Sequence, residues 1–112
     1  MSEIKFNIAE WKERLKNGGD INEPDETGKI ALQQAIWADS IRGIKFCIKH
    51  GVDINRSIDD LGLSPLELAC YGVYAKPILT LIRLGAKVNI KDKQCYFPLY
   101  NAGVLMMSSK LL

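Results

Sequence analysis

His50 is the single histidine of the 112 residues, so any histidine-based catalytic triad would rest on it alone. It stands just before Gly51, at the expected end of a helix, where a cation complements the helix dipole. A structural place is therefore its simplest reading. Three cysteines, Cys47, Cys70 and Cys95, could supply a nucleophile or a metal ligand. Their spacing is not that of a metal site, and their odd number fits reduced thiols better than a disulfide framework. Cys47 falls on the inward face of one helix and Cys70 follows Ala69 in another, so both read as small hydrophobes. Cys95 sits in a turn and could be exposed, but no histidine lies near it in sequence to activate it. Asp53, Asn55, Ser57 and Asp59 alternate like the opening of a calcium loop. The sixth position, which needs glycine, is Ile58, and the twelfth, which needs glutamate, is Ser64. No phosphate-cradling or dinucleotide glycine motif occurs. The residues assemble no reactive centre, and the expectation is a protein that is not an enzyme and carries no cofactor or metal.

What positions these residues is a repeated unit. GLSPLELA, from Gly62 to Ala69, holds a turn glycine, a Ser64 cap, Pro65 at the first helical position and Glu67 completing a capping box. Weaker copies are GKIALQQA, from Gly28 to Ala35, and CYFPLYNA, from Cys95 to Ala102. Leu32, Leu66 and Leu99 are 34 and 33 residues apart, as are Ala35, Ala69 and Ala102. A second phrase keeps the same period: NGGDIN ends at Asn22, HGVDIN at Asn55 and LGAKVN at Asn89. The extra residue of the longer interval falls between Asn55 and Gly62, near Ile58.

On these residues the chain resembles the ankyrin repeat family, whose unit has a turn glycine, a T-P-L-H-x-A helix start, two helices and a closing G-A-D-V-N phrase. Gly62, Ser64, Pro65, Leu66 and Ala69 match, followed by Gly85, Ala86, Val88 and Asn89. Gly28, Leu32 and Ala35 match, followed by Gly51, Asp53, Ile54 and Asn55. The resemblance implies an all-α fold, an ankyrin-type α-solenoid of antiparallel helix pairs joined by β-hairpin-like loops. The whole chain then forms one domain: an N-cap helix at 7–18, repeats at 25–55 and 59–89, and a partial repeat at 92–112.

Helix ends can be placed within this frame. Asn7 and Glu10 read as a capping box opening a helix over Ile8 to Lys16, with Gly18 as its stop. Ile8, Trp11 and Leu15 share its apolar face. The next helix, Ala31 to Ala38, has Ile30 in the capping place and should be weaker at that end by roughly 1 kcal/mol. Its partner spans Ile41 to Lys49, with Ile44, Cys47 and Ile48 inward. Gly43 within it suggests a closer helix contact, with Ile41 filling the space. The second full repeat places helices at Pro65 to Gly72 and Lys76 to Leu84, Pro77 fitting the first turn of the latter. The last unit departs most, with Cys95 for the turn glycine and Phe97 for the cap.

Composition agrees with a small soluble domain: 47% hydrophobic and 25% charged residues exclude a disordered chain. No apolar run reaches the length of a membrane span, and the first residues do not read as a secretory signal, so a cytoplasmic protein is expected. Residues 1–75 carry a net −3 and residues 76–112 a net +5. Such a gradient could orient a charged partner, but scattered basic residues without interleaved aromatics are a poor nucleic-acid footprint. Val104, Leu105, Met106, Met107, Leu111 and Leu112 make an apolar terminus. It could fold back on the last helix pair, serve self-association, or mark a truncation.

In stacks of this kind, the resemblance implies, a partner meets the loop tips and the exposed side of each first helix. The helix positions are Trp37 and Tyr71, one repeat apart and backed by Tyr74. The tips offer Lys29, Leu61, Leu63 and Tyr96. Aromatic pairs with a polar handle are typical hot-spot chemistry, although both rings could instead lean onto their own hairpins. The expected function is protein binding through the concave face and tips, to a partner of unknown identity, with no nucleic acid and no membrane. A narrower version is a small inhibitor or immunity-type protein that masks a toxin or enzyme.

Overall fold

The computed structural model describes residues 5–57, 62–72, 74–88 and 99. Among them there are five helices and no strand: α1 (Ile8–Lys16), α2 (Ala31–Trp37), α3 (Ile41–Lys49), α4 (Pro65–Tyr71) and α5 (Ala75–Arg83). The expected insertion near Ile58, the tips at Leu61 and Tyr96, the turn at Cys95 and Phe97, and the apolar stretch 104–112 lie outside the described residues.

Each helix starts where a local group can take its free N–H groups. Asn7 Oδ1 accepts from Glu10 N at 3.1 Å and opens α1. The second half of the expected box is replaced, because the Glu10 carboxylate pairs instead with Arg14 one turn on, at 2.9 Å. The two choices are close in energy, and an i,i+4 pair on an exposed face is an easy alternative. At α4 the box is complete: Ser64 Oγ accepts from Glu67 N at 3.2 Å and Glu67 Oε1 from Ser64 N at 3.3 Å. Ile30 gives α2 no hydroxyl, yet Gln33 Oε1 accepts from Ile30 N at 3.0 Å. That helix end therefore lacks one bond of the pair rather than both. Ser40 Oγ caps α3 through Gly43 N.

The helix stops repeat as well. Gly18, Gly51 and Gly85 all have positive φ, the left-handed turn that costs a glycine least. The next N–H then reaches back five residues: Gly19 N to Arg14 O, Val52 N to Cys47 O and Ala86 N to Leu81 O, at 2.8 to 3.1 Å. These bonds satisfy carbonyls left over at the helix ends.

α2 packs on α3 and α4 on α5, while α2 also packs on α4 and α3 on α5. Four of the described helices thus form two layers, with α2 and α4 in one and α3 and α5 in the other. The recurring apolar residues lie between them. Leu32, Leu66 and Leu99 are all at most 5% exposed, and Ala35 and Ala69 are fully buried. A leucine buried in this way is worth about 1.5–3 kcal/mol. Trp11 brings α1 into the same core, with Ile8 and Leu15 half-buried beside it.

Gly43 is buried for a different reason than expected. A Cβ there would stand 2.6 Å from Phe6 Cδ1, so the space belongs to a ring arriving from the segment before α1. Phe6 in turn lies 6.3 Å from the Phe46 ring. The glycine admits an aromatic side chain rather than a closer helix.

Candidate interaction surface

Of the groups singled out for chemistry, His50, Cys47, Cys70 and Asp53 lie among the described residues and have structural surroundings. His50 is the C-cap residue of α3, its ring 4.3 Å from that of Phe46. Cys47 and Cys70 are both buried in the core. Burial pushes the Cys47 thiol up to about 12, which keeps it protonated at neutral pH and unreactive as a nucleophile. Asp53 spends Oδ1 on Asn55 N at 2.9 Å. Among the described residues, no three His, Cys, Asp or Glu side chains converge as a metal site would need.

The repeated D-x-N phrase has a mechanical meaning. Asp20 Oδ1 accepts from Asn22 N, and Asp53 Oδ1 from Asn55 N, each at 2.9 Å, so the aspartate folds the loop into an Asx turn. Asn55 Oδ1 then accepts from Lys87 N at 2.9 Å, across 32 residues, and ties its loop to the loop after α5. Asn22 occupies the equivalent place one unit earlier, but among the described residues its side chain makes no such bond. Instead it lines a groove of about 410 Å³ between the loop preceding α2 and the loop following α3. Lys29, Gln33, Asp53 and Arg56 line the same groove. Gln33 is 2% exposed and held by its bond to Ile30 N.

The tip ahead of α2 is built on Asp25. Its Oδ1 accepts from Thr27 N at 2.8 Å, Thr27 Oγ1 at 2.7 Å and Lys29 N at 3.0 Å, and its Oδ2 accepts from Gln34 Nε2 at 2.7 Å. Asp25 N donates to Lys29 O at 2.8 Å, and Gly28, at φ +82°, makes the reversal between them. The Thr27 hydroxyl and the Lys29 and Thr27 N–H groups hold the Asp25 carboxyl below its ordinary value, because they favour the charged form.

This anchoring decides where Lys29 goes. Its ammonium lies over the Trp37 ring, 5.0 Å from the centroid. A lysine expected at a tip and a tryptophan expected at a helix end are thus one unit, a cation–π pair worth about 0.5–1 kcal/mol at a partly exposed site. Trp37 ends α2 and is half-buried against the core. Tyr71 ends α4 in the equivalent place and is 41% exposed. Since α2 and α4 pack together, the two aromatic ends belong to one layer.

The remaining candidates divide. Tyr74 is half-buried, and a Cβ on Gly72 would collide with its Cε2, so the ring lies on that glycine as a packing element. Leu63, expected as an exposed tip residue, is 8% exposed and part of the core. It precedes the Ser64 cap, where an apolar side chain turns inward against the helix it introduces. Leu61 and Tyr96 fall outside the described residues. Sequence reasoning passed over Asp25, Gln33 and Arg56. The Asp25–Thr27 spacing is an Asx-turn signal and Gln33 sits three residues after Ile30, in the capping-box slot, so both were readable. Arg56 carried no local signal.

No known family profile matches the chain. A stretch of 63 residues, 56% of the chain, is 35% identical to part of the potassium channel AKT1 of Arabidopsis thaliana, covering 7% of that protein. Protein phosphatase 1 regulatory subunit 27 is 35% identical over 60 residues in both its human and mouse forms, covering 54% of the chain and 38% of each relative. The chain therefore matches well under half the length of the curated relatives it resembles. No helix among the described residues is long and apolar enough to cross a membrane.

Proposed function

We propose that the chain is an ankyrin-type stack of antiparallel helix pairs that binds a protein partner through the face carrying the ends of α2 and α4 and the neighbouring loop tips. The period of 33 to 34 residues supports the repeat reading, since it returns buried leucine at Leu32, Leu66 and Leu99, buried alanine at Ala35 and Ala69, and left-handed glycine at Gly18, Gly51 and Gly85. One observation carries the binding reading. Trp37 and Tyr71 end adjacent packed helices at equivalent positions, and Lys29 lies against the first ring. Large amphipathic rings held by a rigid scaffold are what protein interfaces use as anchors.

The protein acts in this reading by binding, without catalysis or a cofactor, in the cytoplasm, and with neither nucleic acid nor membrane as its target. The test is Trp37→Ala combined with Tyr71→Ala, assayed by titration against a partner recovered with the wild-type chain. Loss of binding with native circular dichroism is the expected result. Loss of the helical signal would show that the rings hold the stack instead. The likeness to a phosphatase regulatory subunit favours, as a second reading, a module that masks or directs an enzyme. Inhibition of a phosphatase catalytic subunit by the purified chain would support it, and unchanged turnover at saturating chain would count against that target.

A further inference from the structure

Within α2 to α5 the charged residues sort by layer. α3 (Ile41–Lys49) carries Arg42, Lys45 and Lys49 and no acidic residue, and α5 (Ala75–Arg83) carries Lys76 and Arg83 and none. All five are exposed. Arg42, Lys45 and Lys49 recur at helical spacing, so they form one stripe about 10 Å long on the outer side of α3. Lys12 faces that stripe from α1 across a groove of about 320 Å³, whose remaining walls include Ile8, Phe46 and His50. No acidic side chain lines the groove. Among the described residues, the single ion pair is Arg14–Glu10, so none of these four cations is neutralised there.

Two features of this groove select its guest. Its rim is cationic, and its floor is apolar and recessed, since Phe46 is only 8% exposed and Ile8 half-buried. A bilayer surface is too flat to reach such a floor. A nucleic acid would engage the rim but leave the floor unfilled, since the exposed ring there, His50, lies against Phe46 rather than standing free for a base. A short peptide that alternates acidic and apolar side chains satisfies both parts at once. Its carboxylates meet Lys12, Arg42, Lys45 and Lys49, and its apolar anchor enters between Ile8 and Phe46. We propose that the groove between α1 and α3 is a second docking site, on the outer layer, for an acidic peptide segment with an apolar anchor.

The experiment is a titration of the isotope-labelled full chain with the peptide EDLFED, read by amide shifts. Parallel titrations use EDGGED, a mixed DNA duplex and phosphatidylserine vesicles. Shifts for EDLFED should concentrate at residues 8–12 and 42–50. EDGGED should bind about tenfold more weakly, since removing the anchor forfeits the floor. Lys45→Glu with Lys49→Glu should weaken EDLFED by at least about tenfold while circular dichroism stays native. Trp37→Ala with Tyr71→Ala should leave it unchanged, which separates this site from the α2–α4 face. The proposal is overturned if EDLFED shifts nothing or shifts other residues, if EDGGED binds equally, or if the charge reversal has no effect. Tighter binding of the duplex or the vesicles than of EDLFED would overturn it equally.

Discussion

Replacing Ser64 by alanine removes the hydroxyl that accepts from Glu67 N at 3.2 Å, while the reverse bond from Ser64 N to Glu67 Oε1, at 3.3 Å, can persist. The freed Glu67 N–H is partly buried at the start of α4, next in sequence to Leu66 of the core. Loss of such a cap costs about 0.5–2 kcal/mol, and the partial burial places the expected value in the upper half of that range, about 1–2 kcal/mol. With a urea slope of about 2 kcal/mol per molar, the middle of the range for a small domain, the unfolding midpoint should fall by roughly half a molar to one molar. The thermal midpoint should fall by about 4–8 °C for each kcal/mol. Far-UV circular dichroism across a urea series reads both the midpoint and the slope. Ser64→Asp keeps an acceptor in the same place and should lie close to wild type, and Glu67→Gln should cost less than the serine change, since glutamine also closes the box. If Ser64→Ala matches wild type within error, the cap contributes nothing and the account of α4 fails. If the slope falls with the midpoint, the units unfold separately and α4 is not what couples them.

Two further outcomes follow from the loops. Asn55→Ala removes the acceptor of Lys87 N and should cost about 0.5–1.5 kcal/mol. Faster hydrogen exchange at the Lys87 amide, with the amides of α2 unchanged, is the specific readout, and unaltered exchange there would refute the tie. Asp25 has a depressed folded value, so its contribution is fully present above the unfolded carboxyl value, near pH 4, and is lost as pH falls through the folded one. The difference in thermal midpoint between wild type and Asp25→Ala should therefore shrink on acidification below about pH 4, and a constant difference would show that the carboxylate charge is immaterial.

The helices were legible because their signals are local. Asn7, Ser64, Gly18 and Gly51 act on backbone groups within one turn of themselves, and the bounds of α1 and α3 are those their caps predict, while α2 and α4 each end one residue earlier than expected. The buried leucines and alanines were legible because a period of 33 to 34 residues leaves each in the same surroundings. What escaped was decided at long range or between near-equal local choices. Nothing next to Gly43 says that Phe6 will cover it. Glu10 had two partners within reach, and the exposed face favoured Arg14. Leu63 looks like a loop residue until the cap beside it turns it inward. Net charges counted along the chain do not reveal that helix rotation gathers Arg42, Lys45 and Lys49 on a single side. Lys29 looked like a tip charge and is in fact committed to Trp37.

The asymmetry between Asn55 and Asn22 has a mechanical consequence. Asn55 fastens the second loop to the third, whereas the first and second loops face one another across an open groove at Asn22. Of these two junctions the first is thus the more compliant, and it should bend before the second. A guest that offers Asn22 a backbone N–H from within the groove would supply the missing fastening. Occupancy would then stiffen that junction, turning a hinge between the two loops into a brace.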